Sequence, residues 1–326
     1  MSNGEFLRVR LFSYKIHGRS EICSILITLE PLDIIMKERE AEFLTTQQLA
    51  RLWDVSEATI KRWADAGHLR PSRTIGGHRR FALAEVARFQ RAHSPDVKAA
   101  AKKAVRAKAL SQALKADEGD ALERFFKAIV TGWSETAVSI LLRLYLNKVP
   151  LAKILDEMVA STMHRVGEGW REGRMSVADE HLSTRTMMRT LEAASNLLRL
   201  EQPGGKSALC CAVEDELHEI PVHCAQILLE SEGWRVMNLG ANTPFFALAQ
   251  AVEKHQPQLV CISSTMNLAL DRCAREYPQF QSAVEAGGAR IVLGGEGFMD
   301  QAVRQRFPAA LYAENFNQLR EFIKAG

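Results

Sequence analysis

The sequence has no run of the roughly 20 apolar residues that a membrane-spanning helix needs. Its six cysteines (Cys23, Cys210, Cys211, Cys224, Cys261 and Cys273) lack Cys-x-x-Cys spacing, and five lie in apolar runs. They read as buried, reduced thiols, which points to a cytoplasmic protein rather than a disulfide framework. With 20 glycines and 10 prolines in 326 residues, a collagen-like chain is excluded. The 47% hydrophobic content likewise excludes wholesale disorder. Net charge is only +3, so any contact with nucleic acid must come from a local basic patch. The length suggests about two domains.

Residues 1–40 fit the rest of the chain poorly. Ile22 to Ile35 is apolar-rich, but Glu21, Glu30 and Asp33 flank or interrupt it. A signal peptide needs a cleaner apolar core and a small-residue cleavage site. The segment is expected to be a disordered tail, the alternative being an extra element packed on the first domain.

From residue 41 to 93 the pattern changes. Thr45-Thr46 precede a helix marked by Leu49, Leu52 and Val55. After a short turn Ser56 caps a second helix, which ends at Gly67; this spacing is that of a helix-turn-helix. Ile60 and Trp63 face inward, leaving Thr59, Lys61 and Arg62 outward. Pro71 ends the helix, Gly76-Gly77 form a hairpin tip, and His78, Arg79 and Arg80 lie on the returning strand. Residues 51–91 hold nine Lys/Arg against four acids, a local basic patch in a nearly neutral protein.

The string VSEATIKRWADAGHLRPSRTIGGHRRF resembles the MerR-family DNA-binding domain almost from end to end. The resemblance implies that Arg62 and the helix that carries it enter a major groove while Arg73, His78, Arg79 and Arg80 grip phosphates, with Thr59 and Lys61 also available for DNA on the outward face. Guanidinium forks suit both phosphate and guanine edges. One such winged helix covers one half-site, so the active species is expected to be at least a dimer on operator DNA. Residues 94–118 follow as a basic linker, alanine-rich with six basic residues, suited to a semi-rigid spacer or to added phosphate contact.

Residues 119–202 carry four amphipathic stretches, most simply a four-helix bundle. Pro150 starts the third helix, and Ser176 with Asp179 caps the fourth, placing Glu180 and His181 in its first turn. Spacing alone makes Trp170 a core residue and Glu180-His181 a solvated helix start. Residues 206–326 then alternate strand-like runs (KSALCCAV, RVMNLG, LVCISST, RIVLGG, AALYA) with helical segments. That order argues a flavodoxin-like, doubly wound parallel sheet with its ligand at the carboxyl ends of the strands. The whole is a multidomain α plus α/β chain.

Glu216-x-His218, then Ser263 forty-five residues on, then Gly294-Gly295, resembles the cobalamin-binding Asp-x-His-x-x-Gly…Ser-x-Leu…Gly-Gly pattern. Pro221 stands where the pattern has glycine, and Thr265 where it has leucine. In that family the histidine displaces the cofactor's own base and ligates cobalt, the acid two residues earlier fixing its tautomer. The displaced tail runs past the serine and the glycine pair.

Trp170, nine residues, then Glu180-His181 resembles the signature of the CarH/LitR light-responsive regulators, and with the MerR-like head the resemblance covers about residues 42–326. It implies a light-responsive repressor, not an enzyme, binding adenosylcobalamin between bundle and sheet. His218 is the implied lower cobalt ligand, with Trp170 and Glu180 against the adenosyl group. A dark homotetramer would hold the operator; light would break the cobalt–carbon bond, His181 would take the vacated upper position, and the oligomer would release DNA. The alternative is a light-independent regulator that senses redox state or the level of its cofactor, adenosylcobalamin or another cobalamin form. Corrinoid methyltransferases carry a similar helical and cobalamin module but no DNA-binding head. A MerR-type metal sensor needs cysteines after residue 90, and none occurs before Cys210.

Overall fold

The computed structural model describes residues 43–74, 76–92, 118–198, 204–266 and 270–325. The tail expected at 1–40 and, apart from Glu118, the linker expected at 94–118 lie outside the described residues.

The first unit is a winged helix-turn-helix. Strand β1 (Phe43–Thr45) leads into α1 (Thr46–Leu52), where Thr45 and Gln48 form a reciprocal capping box. Helix α2 (Glu57–Asp65) starts at Ser56, whose hydroxyl accepts from Thr59 N. The wing consists of β2 (Ser72–Arg73) and β3 (Arg79–Ala82), and β3 pairs antiparallel with both β1 and β2. Helix α3 (Leu83–Ala92) closes the unit: Phe89 packs against Trp53 and Trp63, and Trp53 Nε1 donates to Gln90. Strand β1 is too short to carry a sequence period and exists because β3 offers it a free edge.

Four helical stretches follow, as the amphipathic pattern requires: α4 (Glu118–Val130), α5 (Ser134–Leu146), a composite third helix and α8 (Val177–Leu198). The third helix begins as α6 (Leu151–Ile154), passes through a π-helical stretch (Leu155–Ala160) and continues as α7 (Ser161–Arg171). Phe125, Ile129, Ile140, Leu141, Leu155, Val159, Met187 and Leu191 fill the space between them. Helix α3 of the head packs on α5 and α8, so head and bundle share one apolar core.

The α/β part has five parallel strands, β4 (Ser207–Ala212), β5 (Arg235–Asn238), β6 (Leu259–Ser263), β7 (Arg290–Gly294) and β8 (Leu311–Ala313), in the order β5-β4-β6-β7-β8. The helices are α9 (Ile220–Ser231), α10 (Phe245–His255), α11 (Leu270–Ala286), α12 (Gln301–Arg306) and α13 (Phe316–Ala325). Strand β4 is buried throughout, and its side chains alternate between two layers. Ala208, Cys210 and Ala212 face α9 and α13, whereas Leu209, Cys211 and Val213 face the aromatic cluster of Phe245, Tyr277, Phe280 and Phe307. This is the doubly wound sheet expected from the sequence. The five cysteines described are free and buried.

Bundle and sheet are tied by a capping interaction that no local pattern announces. Asp156, in the π-helical stretch, accepts from Phe316 N (2.8 Å) and Asn317 N (3.2 Å), while Asn315 accepts from Gln318 N. The first-turn donors of α13 are thus satisfied from another layer of the molecule. Burial raises the pKa of Asp156, an effect that the two N–H donors only partly offset. We expect Asp156→Ala to lower stability by about 1 kcal/mol, the usual cost of losing a helix cap. Asp156→Asn, which keeps an acceptor and removes the buried charge, should retain most of it. Denaturant midpoints of the two variants check this; equal midpoints would sink it.

Candidate functional site

In an open sheet of this order, the connections from β4 and β6 leave in opposite directions and open a crevice at their carboxyl ends. Glu216, in the loop after β4, sits at that point and is only 2% exposed. One carboxylate oxygen accepts from His218 Nδ1 (2.5 Å) and His218 N (2.8 Å). The other accepts from Thr265 N (2.6 Å) and Met266 N (2.9 Å), beyond the end of β6. A single side chain therefore stitches together the two loops that flank the crevice. Burial alone would raise its pKa, but the four hydrogen bonds outweigh it and hold the carboxyl at about 2.

The imidazole of His218 is consequently oriented. With Nδ1 engaged by an anionic acceptor, the proton belongs on that nitrogen and the lone pair on Nε2. The His218 side chain is 55% exposed. Its hydrogen bond to Glu216 raises its pKa against the opposing effect of burial, and the charges of Glu216 and Glu180 add to the rise. Glu180 belongs to the bundle, so helix α8 and the His218 loop face one another.

Ser263, Gly294 and Gly295 are brought together at the neighbouring strand ends, Ser263 lying opposite Gly294 in the β6–β7 register. Ser263 Oγ is buried and has no hydrogen-bond partner among the described residues. Gly295 has φ +90°, and a Cβ there would lie 2.3 Å from the carbonyl oxygen of Ser264. Thr265 contributes through its backbone N–H, a contact its side chain does not affect. Pro221 lies in the first turn of α9, where its missing N–H costs no hydrogen bond.

On the bundle side, Ser176 and Asp179 cap α8 reciprocally, and hydrogen bonds from Ser176 lower the pKa of Asp179. Glu180 accepts from Thr184 Oγ1 (2.7 Å) and lies 3.6 Å from His181 Nε2; His181 is largely exposed. Trp170 is not the core residue its spacing suggests: it is 52% exposed. The other exposed large apolar residues among those described are Val177, Leu182, Leu217, Leu239, Phe246 and Met266. They lie on the first turns of α8, or beyond the carboxyl ends of β4, β5 and β6. Apolar surface left open around one oriented imidazole, beside one orphaned hydroxyl, fits a large ligand with an apolar perimeter and polar appendages.

In the head, Lys61, Arg62, Arg73 and His78 are exposed, and Thr59 is partly turned into the Ser56 cap. Gly77 has φ +76° at the wing tip. Arg79 is engaged within the molecule: it donates to Asp65 (2.7 Å) and to Lys61 O, locking the wing onto α2. Arg80 donates to Arg79 O.

Motif reading passed over Asp215, Asn242, Met266 and Arg272, which hold the Glu216 loop. Asp215 (φ 67°) and Asn242 (φ 53°) occupy the left-handed region, which Asp and Asn tolerate better than most residues. That preference was the one available signal.

A family model described as a helix-turn-helix domain matches residues 43–94, and one described as a B12 binding domain matches residues 121–194, the helical bundle. The chain is 27% identical over 185 residues to the HTH-type transcriptional repressor CarH of Myxococcus xanthus, covering 57% of this chain and 61% of that protein. It is 30% identical over 151 residues to the repressor CarA of the same organism, covering 45% and 50%. The match thus spans one half to three fifths of those relatives' lengths. The structure of the Methanosarcina barkeri monomethylamine corrinoid protein superposes with a TM-score of 0.53 at 15% identity, covering 63% of this chain and 97% of that one. At that identity the likeness shows the fold alone. Together the two domain matches and the two repressors bear out the resemblance to CarH-type, cobalamin-binding transcriptional regulators.

Proposed function

We propose that this chain, carrying a helix-turn-helix domain and a B12 binding domain, is a transcriptional repressor that uses adenosylcobalamin to sense light. The observation that carries the reading is His218, held at Nδ1 by a buried carboxylate and left with Nε2 as a metal ligand, in one chain with a basic winged head. Adenosylcobalamin, when bound, supplies a chromophore and a cobalt–carbon bond weak enough for visible light to break. His218 would hold the metal, and Glu216 would keep its tautomer and direction. Ser263 has an uncommitted hydroxyl for the nucleotide tail, and Gly295 lets the end of β7 approach the Ser264 backbone more closely than a residue with a Cβ could. Trp170 and Glu180, on the bundle side, would lie against the bound group, and His181 beside them would offer the metal a second imidazole.

At the other end of the molecule, Lys61 and Arg62 on α2 would read the major groove while Arg73, His78 and Arg80 contact phosphates. Arg79 would act mainly by holding the wing against α2. One head grips one half-site, so joining heads in an oligomer raises operator affinity by about 10²–10⁴ through effective concentration. A cofactor form that favours the oligomer therefore favours DNA occupancy, and its loss releases DNA with no change in the head.

The test is to load the full chain with adenosylcobalamin, keep it dark and anaerobic, then illuminate with green light while following size and operator binding. The expected result is a tetramer bound to DNA in the dark, and smaller species with weak binding in the light. An unchanged size and an unchanged affinity after photolysis would overturn the light reading in favour of a light-independent cobalamin or redox sensor.

A further inference from the structure

The loop that presents His218 is held by more than Glu216. Asp215 N donates to Asn242 Oδ1 (2.9 Å), and Asn242 N donates back to Glu216 O (2.9 Å). Both Asp215 and Asn242 have positive φ, so each loop holds the other in a backbone conformation that neither would favour alone. From the third side, Arg272 on the first turn of α11 donates to Asp215 Oδ2 and places Nε 3.1 Å from Glu214 Oε2. One guanidinium thus hydrogen-bonds to Asp215 and stands in ion-pair range of Glu214, its Nε making no hydrogen bond among the described residues, while the loop that precedes α11 supplies the N–H groups of Thr265 and Met266 to Glu216 itself. The always-charged guanidinium suits a place between two carboxylates, one hydrogen-bonded and one held by charge.

We propose that Arg272 is a positioning residue: it holds Glu214 and Asp215 so that Glu216 and His218 stand in ligating geometry before any cofactor arrives. This rests on the reading of His218 as the metal ligand. Arg272 and Asp215 are both partly exposed, and ion pairs of that kind add little to global stability. The effect of Arg272 therefore falls on the placement of this loop rather than on folding, which gives the proposal a readout separate from stability.

The experiment compares the native full chain with Arg272→Ala, Arg272→Lys and His218→Ala. It measures amide hydrogen exchange of peptides covering residues 213–219 without cofactor, affinity for hydroxocobalamin by absorbance, and melting temperature. Arg272→Ala is expected to speed exchange in that segment and weaken binding about tenfold, the low end for losing an outer partner of a metal ligand. Its melting temperature should stay unchanged. Arg272→Lys, which can reach one carboxylate at a time, should recover part of both losses. Native-like exchange and binding in Arg272→Ala, with binding lost in His218→Ala, would overturn the proposal and leave the ligand reading standing. A lowered melting temperature with faster exchange throughout the chain would also overturn it, marking Arg272 as a general stabiliser. Native-like binding in His218→Ala would overturn the ligand reading instead, and exchange at 213–219 would still decide whether Arg272 sets the loop.

Discussion

His218→Ala is expected to bind cobalamin more than about 100-fold less tightly than the native chain, beyond the range for losing a ligand's hydrogen-bonded neighbour. The size of the effect follows from the donor set. Among the described residues no group of three or more His, Cys, Asp or Glu could hold a metal, so His218 would serve as a single ligand rather than as one member of a cluster. His223, on the following helix turn, is directed to Glu219 at 3.8 Å. Glu216→Gln serves as the companion variant. It preserves shape and one acceptor oxygen but presents an amide N–H to backbone donors that now meet a carboxylate. It should weaken binding about 10- to 100-fold and alter the absorbance change on binding. Titration of hydroxocobalamin into each variant measures both. Native-like affinity and an unchanged bound spectrum in the His218 variant would sink the site as described here.

Gly295→Ala should be strongly destabilising, costing about 3 kcal/mol from backbone strain and close contact together. At φ +90° an L residue is strained whatever the space around it, and here the space is missing as well. The new Cβ would meet the carbonyl oxygen and carbon of Ser264 at 2.3 and 2.8 Å, backbone atoms that cannot turn aside as a side chain could. Either the β6 and β7 ends separate or Gly295 changes conformation. Both outcomes shift the strand end that carries Ser263, so cofactor affinity should fall together with stability. Gly167→Ala is the matched control: it lies within α7, nothing approaches its would-be Cβ within 4 Å, and alanine is the better helix former. That variant should be neutral or slightly more stable. Denaturant midpoints with unchanged slopes would show the contrast, and equal midpoints for the two variants would refute the packing argument.

Much of the molecule could be read from the chain. Ser56, Thr45, Ser176 with Asp179, and Pro150 mark helix starts by features of the residue itself or of neighbours a few positions away, and helices begin at all four. The five apolar runs became the five parallel strands because a strand buried on both faces needs no polar alternation. Glu216, His218, Ser263 and Gly294-Gly295 each lie at or just beyond the carboxyl end of a strand, where the alternation of strands and helices puts the loops of such a sheet.

Other features had no local signature. Trp170 has helical spacing suited to a core position and is nevertheless open, because the surface it would need opposite is not filled by protein. Arg79 looks like another phosphate contact until α2 brings Asp65 beside it. Asp156 caps a helix 160 residues away.

Repeat periods, caps and strand–helix alternation depend on neighbours within a few residues, so the order of letters was enough to establish the elements, the parallel sheet and the histidine at its edge. The direction and tautomer of that histidine depend on Glu216 meeting N–H groups 49 and 50 residues further on. Strand order and register alone bring such distant groups to within 3 Å, and no period along the chain encodes that distance. The burial of Glu216, the orphaned hydroxyl of Ser263 and the grip of Arg272 therefore became visible only in the folded protein.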